Sequence, residues 1–274
     1  MYATLHSLFI AANVTLTMAF LIYASWSDYK TREVSNRVWM IYAPLALSIS
    51  LANILLYEPS QLLFFGLSFG VTSVIAILLF YTGGFGGADS KALMCIALAL
   101  PFSTEALFTP RLPNGVSPLS QTIFPMTIFS NSVLLAAATA VYLLLYNVIW
   151  HLRSGRKIFE GTLAHEPLGK KLLTLITGRK TAINELKEKW HIYPMEDIEE
   201  NPNNQLARSL VIIPRDEGRD EIVNRLSEAV KTGKIAERVW ATPGLPMLIF
   251  VTIGVAVSLL FGDIVWVLVA SVLG

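Results

Sequence analysis

Two aspartates at the ends of apolar stretches are the residues of this sequence best suited to chemistry. Asp28 follows the first long hydrophobic run, and Asp89 ends the glycine-rich stretch 83–89. An ionisable side chain at the edge of a membrane helix is expensive to desolvate, which favours a functional explanation. If helix packing brings the two carboxyl groups together, one can hold a proton while the other activates water, as in aspartic proteases. We therefore interpret Asp28 and Asp89 as a candidate catalytic pair.

Each aspartate alone also has a simpler interpretation. Asp89 could cap the helix that follows the glycines, since aspartate is a favoured N-cap and suits the positive end of a helix dipole. Asp28 precedes several polar residues and could be an ordinary solvated charge. The catalytic interpretation is favoured because both acids fall on one predicted side of the membrane. In addition, a lysine follows each acid two residues later, at Lys30 and Lys91.

The neighbours of the two acids indicate how a substrate would reach them. Gly86 and Gly87 lack side chains, so the backbone there can pack closely and let a substrate approach Asp89. Ala88 is the next smallest residue, and we expect the backbone to fit with a stiffer loop. The two lysines would lower the cost of the negative charges or contact lipid phosphates.

The composition predicts a membrane protein. Hydrophobic residues make up 54% and charged residues 15% of the chain, whereas soluble domains carry about 25% charged residues. The net charge of +1 predicts no nucleic-acid partner. The single cysteine, Cys95, lies in an apolar run and is expected to be a core residue. The four histidines show no ligand spacing, so we expect no metal and no cofactor.

Six apolar segments predict an all-α polytopic membrane protein. Spanning a bilayer takes about 20 apolar residues, and the candidate segments are 5–26, 38–57, 61–81, 90–102, 124–150 and 245–272. The fourth rises only about 20 Å against a hydrocarbon core of about 30 Å. Either the bilayer is thinned there, or the preceding glycines enter the membrane beside a wet pocket next to Asp89. The first segment lacks the basic start of a signal peptide and is expected to remain as a span.

Basic residues predict the orientation. With six spans, 20 of the 21 lysines and arginines fall on one side, and only Arg111 falls on the other. By the positive-inside rule the basic side is cytoplasmic, which places both termini outside. Asp28 and Asp89 would then lie at the cytoplasmic face of the cell membrane, in contact with membrane lipid.

The chain is predicted to have a membrane domain at 1–150 with five helices and both aspartates. A cytoplasmic soluble domain or insertion follows at 151–242, and the sixth transmembrane helix occupies 243–274. Within the soluble part, the patterns predict helices at 170–181 and 221–239, a strand at 209–214 and a loop at 195–204.

Three motifs carry a resemblance to a known family. Asp28 is followed by a turn with Asn36, the segment 85–93 reads FGGADSKAL, and the last span opens at 242–250 with TPGLPMLIF. These resemble the archaeal preflagellin and type IV prepilin peptidases, which are GxGD-type membrane aspartyl proteases. The strict motif has glycine where this chain has Ala88. The cysteine-rich insert common in bacterial members, which accompanies N-methylation, is absent, so the chain resembles the peptidase-only branch.

The resemblance implies cleavage of a short basic, class III-type leader from archaellin or pilin precursors in an archaeal membrane. The cut would fall at the cytoplasmic face, just before the precursor's hydrophobic helix. Glu33 and the acidic stretch 196–200 are candidates for attracting the leader. The two aspartates would share one proton near neutral pH, since close carboxylates do not both ionise cheaply. Their individual roles as acid and base stay open.

Three other interpretations fit parts of the sequence. A small ion-coupled transporter also uses intramembrane acids and glycine-broken helices, but it would place the acids near the midplane and show inverted repeats. A presenilin-like protease that cuts inside a helix would carry its aspartates deeper in apolar sequence. A structural membrane subunit could simply pair its two acids with lysines.

Overall fold

The chain was analysed as a computed structural model, which describes residues 2–105, 107–155, 157–200, 206–211, 218–244 and 246–273. It divides into two compact units. The first, here called the membrane unit, comprises Met1–Ala136 and Pro246–Gly274. The second, here called the insertion unit, comprises Ala137–Leu245.

The described residues form helices along most of the chain. In chain order the helices are α1 (Tyr2–Thr31), α2 (Asn36–Tyr57), α3 (Leu62–Tyr81), α4 (Gly87–Ala99), α5 (Pro118–Thr122), α6 (Phe124–Ser154), α7 (Leu168–Thr177), α8 (Ile183–Glu188), α9 (Arg219–Lys231), α10 (Met247–Phe261) and α11 (Ile264–Leu273). Short 3₁₀ helices occupy Pro59–Gln61 and Gly161–His165. The strands are β1 (Arg179–Ala182), β2 (Ile192–Pro194), β3 (Glu196–Glu200), β4 (Leu206–Leu210) and β5 (Arg238–Pro243).

The described helices confirm a multi-pass membrane protein, but they do not confirm six straight spans. Four segments are long and apolar enough to cross a bilayer, namely Leu5–Thr31, Asn36–Tyr57, Pro59–Tyr81 and Phe124–Ser154. The predicted sixth span is divided into α10 and α11, which meet at 59° and qualify only as a pair. The predicted fourth span is the 13-residue helix α4, which is too short to qualify, as its rise of about 20 Å indicates.

The core of the membrane unit lies where α1, α2, α4 and α10 meet. Leu21, Tyr42, Ile96 and Val251 belong to this core and are at most 1% exposed. Cys95 joins the same core with 4% exposure, which confirms its predicted role as a small apolar residue. Because α4 is packed against α1, α2, α3 and α10, its polar first turn is held among the long helices.

The break between α10 and α11 is built around Asp263. Gly262 has φ +84° and ends α10, since this conformation is unfavourable for residues with a side chain. Asp263 then begins α11 by accepting a hydrogen bond from the Trp266 backbone N–H at 3.0 Å. Its other carboxylate oxygen accepts from the Ser117 and Thr127 hydroxyls at 2.6 and 3.3 Å. The buried carboxylate therefore has partners on both oxygens, and the bend is a fixed feature.

The insertion unit is a mixed α/β structure with more strands than the single one predicted for this part of the chain, so the all-α class does not extend to it. β1, β5 and β2 form an antiparallel sheet with β5 at the centre, and β3 pairs antiparallel with β4. Helices α8 and α9 pack against these strands. A strand therefore follows α7 directly and another follows α9 after a short turn, where the sequence predicts that the helices continue.

The predicted loop at 195–204 is also wrong in its first half, because β3 occupies Glu196–Glu200. Its acidic residues are tolerated in a strand because arginines pair with two of them. The predicted strand at 209–214 overlaps the end of β4, and its remainder from 212 onward lies outside the described residues.

Candidate active site

Asp28 lies in the last turn of α1 and is partly buried. The helix ends three residues later at Thr31, and the next residue, Arg32, adopts φ +58°. The Arg32 backbone N–H donates to the Asp28 carbonyl oxygen at 2.9 Å, a common way of closing a helix C-terminus. Asp28 is therefore part of an ordered helix end, and the interpretation as a loop charge does not describe its backbone.

Hydroxyl groups fix the turn between α1 and α2. The Ser27 and Thr31 hydroxyls both donate to the Glu33 carbonyl oxygen, at 2.8 and 3.0 Å. The Ser35 hydroxyl then caps α2 by accepting from the Arg37 backbone N–H at 3.4 Å. These bonds fix the turn that follows the helix end carrying Asp28.

Asp89 lies in the first turn of α4 and is partly buried. Its Oδ2 accepts a hydrogen bond from the Gly86 backbone N–H at 3.0 Å. The N-cap residue is Gly86, so the predicted capping role is found in a modified form. Asp89 reaches back to the cap from inside the helix, and this bond occupies one of its two carboxylate oxygens.

The small residues before Asp89 have different surroundings. A Cβ added to Gly86 would lie 3.1 Å from Asp89 Oδ2, which is closer than ordinary contact, whereas one added to Gly87 would lie 3.6 Å from the Phe80 ring. Ala88 is partly buried and packs against the main core of the membrane unit. Alanine is thus accommodated where the strict motif has glycine. Gly86 is the position where a side chain would crowd the Asp89 carboxylate.

The structure brings the two aspartates within electrostatic range of each other. Burial raises the pKa of Asp89 to about 6, and the hydrogen bond from Gly86 opposes this shift. The negative charge of Asp28 raises the same pKa further, while the positive charge of Arg32 lowers it. A carboxyl group with such a pKa exchanges its proton close to neutral pH, which suits acid–base chemistry.

The two lysines that the sequence places near the acids have other partners. Lys30 lies over the Trp26 ring, with Nζ 4.3 Å from the ring centroid. Lys91 Nζ donates to Asn36 Oδ1 at 2.7 Å, so it connects the start of α4 to the start of α2. Their roles beside the acids or at lipid phosphates stay predictions, and Lys91 joins two of the sequence motifs.

Arg32 is the functional candidate that the sequence interpretation missed. Its charge acts on both Asp28 and Asp89. The signal available in the sequence was its position four residues after Asp28, because residues at this spacing share one face of a helix. The left-handed conformation that ends α1 at this residue could not be read from the sequence.

The acidic stretch 196–200 does not form an exposed surface for a basic leader at its first two residues. Glu196 is fully buried, and its carboxylate accepts from Arg208 at 2.5 Å and from the Trp240 backbone N–H at 2.7 Å. Asp197 pairs with Arg225 at 2.6 Å. That prediction is wrong for these two residues, because their charges hold the insertion unit together. Glu33 is exposed and stays a prediction.

Comparisons with known proteins cover most of the chain. Residues 15–149 match the model of the type IV leader peptidase family, and residues 170–264 match the model described as archaeal peptidase A24 C-terminus, type II. A preflagellin peptidase of Methanococcus maripaludis is 21% identical over 243 residues, which is 89% of this chain and 92% of the relative. A preflagellin peptidase of Methanococcus voltae is 23% identical over 246 residues, with the same coverage of 89% and 92%. An uncharacterized protein of Methanocaldococcus jannaschii is 26% identical, with coverage of 84% and 85%.

Proposed function

Because this chain belongs to the type IV leader peptidase family, we propose that it is an aspartyl endopeptidase that removes the leader of archaellin or type IV pilin-like precursors. The observation that carries the proposal is the pair Asp28 and Asp89. They lie at the ends of two helices, in the part of the chain that matches the family, and the charge of one acts on the other. Both precursor classes are candidates, since two relatives are named as preflagellin peptidases and the matching family is that of the type IV leader peptidases.

The reaction would use the two acids with one shared proton. The ionised carboxyl takes a proton from water while the water oxygen attacks the scissile carbonyl carbon. The protonated carboxyl donates to the carbonyl oxygen, and a proton is later passed to the leaving amine as the peptide bond breaks. After the cleavage the pair again holds one proton, so no cofactor is required.

The geometry supports cleavage at a membrane surface. Asp28 is in the last turn of α1 and Asp89 is in the first turn of α4, so both acids lie at helix ends. A precursor anchored by its hydrophobic helix would present its leader at this level. The helix ends and the turn on this side carry Lys30, Arg32, Arg37 and Lys91, and the positive-inside rule favours the cytoplasm for such a basic side.

The proposal also accounts for features that a transporter would not need. A transporter holds its coupling ions near the bilayer midplane, between repeated helix sets. Here each acid lies within one turn of a helix end, and Asp89 is held by a backbone bond from Gly86. A fixed pair at a surface suits a hydrolytic site.

The deciding experiment is cleavage of archaellin and pilin precursors by membranes that contain the full chain. Asp28→Asn and Asp89→Asn should each lower the cleavage rate by about 10²–10⁴-fold, the usual contribution of acid–base groups. Asp220→Asn is the matched control, because this aspartate is 88% exposed in the insertion unit. If either variant of the pair cleaves at the wild-type rate, the mechanism is wrong. If the wild type cleaves neither class of precursor, the proposed substrates are wrong.

A further inference from the structure

A cavity of about 450 Å³ lies at the end of the membrane unit away from the two aspartates. Its polar lining includes His6 and Asn13 of α1, Ser50 and Asn53 of α2, and Glu58 just beyond α2. His6 precedes Asp28 by 22 residues, which corresponds to about 33 Å along a helix. This distance is about the thickness of the hydrocarbon core. The cavity is therefore distinct from the candidate active site.

The wall of the cavity includes Asn13, whose side chain has a buried acceptor with no partner among the described residues. Asn13 is 4% exposed, and its Nδ2 donates to the Ser50 hydroxyl at 2.9 Å. The Ser50 hydroxyl in turn donates to the Leu98 carbonyl oxygen at 2.6 Å. Asn13 Oδ1 receives no hydrogen bond from the described part of the chain. Buried polar atoms are nearly always paired, so this oxygen indicates a donor from outside the protein.

The charges around the cavity indicate which kind of hydrogen-bond donor it would bind. Glu58 and Glu105 both line it, and none of the described lining residues is a lysine or an arginine. Ala99, the last residue of α4, lies in the same wall, and the C-terminal end of a helix carries a partial negative charge. Carboxylates, a helix C-terminus and an unpaired amide oxygen all favour a positively charged donor.

The size and the apolar walls favour an organic cation over a metal ion. Binding cavities for small organic molecules have volumes of about 300–1,000 Å³ and mostly apolar walls. Phe64 and Phe102 line this one, and aromatic rings attract alkylated ammonium groups. Within the described residues, no group of three His, Cys, Asp or Glu side chains is placed to hold a metal ion.

We propose that this cavity binds an organic ammonium group, from either a lipid headgroup or a small soluble amine. Asn13 Oδ1 accepts from the ammonium at the inner end, and Glu58 and Glu105 balance its charge nearer the mouth. The ligand bridges α1, α2 and the end of α4, which are the helices that carry or neighbour the two aspartates. The site is independent of the proposed protease activity, so it can be tested by binding alone.

The test uses the purified full chain in detergent and follows its thermal unfolding. Ethanolamine and dihexanoylphosphatidylethanolamine are the two probes. Their controls are 1-propanol, an uncharged analogue of ethanolamine without the amine, and dihexanoylphosphatidylglycerol, which lacks the amine. A ligand that binds only the folded state raises Tm in proportion to its saturation. We expect a concentration-dependent rise in Tm with at least one ammonium probe and none with its control.

A pair of substitutions tests the charges directly. Glu58→Gln combined with Glu105→Gln should raise the dissociation constant of the active probe by about tenfold or more, since charged hydrogen bonds are stronger than neutral ones. Glu188→Gln is the control, because Glu188 is exposed in the insertion unit and should leave binding unchanged. The Tm of each variant without ligand shows whether it folds.

The outcomes separate the sources of the ammonium group. A response to free ethanolamine alone identifies a soluble amine, and a response to the ethanolamine lipid alone identifies a lipid headgroup. Equal responses to the charged probes and their controls would overturn the proposal. So would unchanged binding by the double variant, or the absence of any response in the folded wild type.

Discussion

The pH dependence of cleavage tests the proposed role of Asp89 directly. Its pKa is raised to about 6, so this carboxyl holds its proton below that pH and loses it above. The proposed reaction needs one proton on the pair. We therefore predict that kcat/KM falls as the pH rises through about 6 to 7, with a second loss at lower pH when both acids are protonated. A rate that stays constant between pH 5 and 8 in a single-turnover assay would contradict this assignment.

Arg32 should determine the pH at which kcat/KM falls on the alkaline side of the pH profile, here called the alkaline limb. Its positive charge lowers the pKa of Asp89, so its removal should raise this pKa and move the limb to higher pH. Arg32→Asn is the suitable variant, because asparagine tolerates the left-handed backbone found there. Arg32→Lys keeps the charge and should leave the limb near its wild-type position. A merely structural role for Arg32 would lower the rate in both variants without moving the limb.

Gly86 is the glycine whose missing side chain matters most for Asp89. Gly86→Ala would place a methyl group 3.1 Å from Asp89 Oδ2, which should displace the carboxylate and lower kcat severalfold. Gly66→Ala is a matched control in α3, because no heavy atom lies within 4 Å of the added Cβ. Kinetics on purified proteins would distinguish the two variants. Equal rates for both would mean that the position of Asp89 does not depend on this close approach.

At the scale of the helices, the bend between α10 and α11 should contribute measurably to stability. Asp263 receives hydrogen bonds from two hydroxyls and from the Trp266 backbone N–H. Asp263→Ala leaves these buried donors without a partner, which should lower the free energy of unfolding by about 1–3 kcal/mol. Glu188→Ala, at an exposed position, should change it by less than about 0.5 kcal/mol. Thermal unfolding in detergent would measure both.

The sequence predicts the length of a helix where the run of apolar residues alone determines it. The short rise of α4 follows from counting apolar residues between Asp89 and Pro101, and the buried position of Cys95 follows from its apolar neighbours. The bend at Gly262 and Asp263 was not readable. It depends on the Ser117 hydroxyl, which reaches Asp263 from 146 positions earlier in the chain. No local pattern carries such a contact.

The candidate site shows the same division. The two aspartates were found because charge is unusual at the edge of apolar sequence. Spacing alone suggests Lys30 and Lys91 as their cationic neighbours, but it gives no side-chain direction. Lys30 lies over the Trp26 ring and Lys91 binds the Asn36 amide, and the charge of Arg32 acts on both acids.

At the scale of the whole chain, the insertion unit shows why acidic sequence was mistaken for surface. The stretch 195–204 has the composition of a loop, yet β3 forms there because β4 pairs with it, and Arg208, opposite Ile198, binds the Glu196 carboxylate. Arg208 lies twelve positions after Glu196. Its hydrogen bonds offset the free-energy cost of burying the Glu196 carboxylate. Composition records the charges but not the partner that compensates them.

Two acidic residues, one in each unit, should consequently respond to different measurements. Glu196 is fully buried beside Arg208, and breaking such a pair costs about 3–5 kcal/mol. Glu196→Gln should therefore lower the resistance of the insertion unit to unfolding and proteolysis. Glu33 is exposed on the turn that follows Asp28, so Glu33→Gln should leave stability unchanged and raise KM severalfold for a precursor with a basic leader.

A precursor whose leader lysines and arginines are replaced by glutamine separates these roles. Its KM should be equal for the wild type and Glu33→Gln, because the attraction requires charge on both partners, and high salt should weaken the difference seen with the basic leader. Glu196→Gln could instead change KM for the basic leader and leave the free energy of unfolding unaltered. In that case the Glu196 carboxylate does not stabilise the fold through its pair with Arg208. The acid of β3 would then act on substrate, and the fold of the insertion unit would have to rest on its apolar core around Leu226 and Val239.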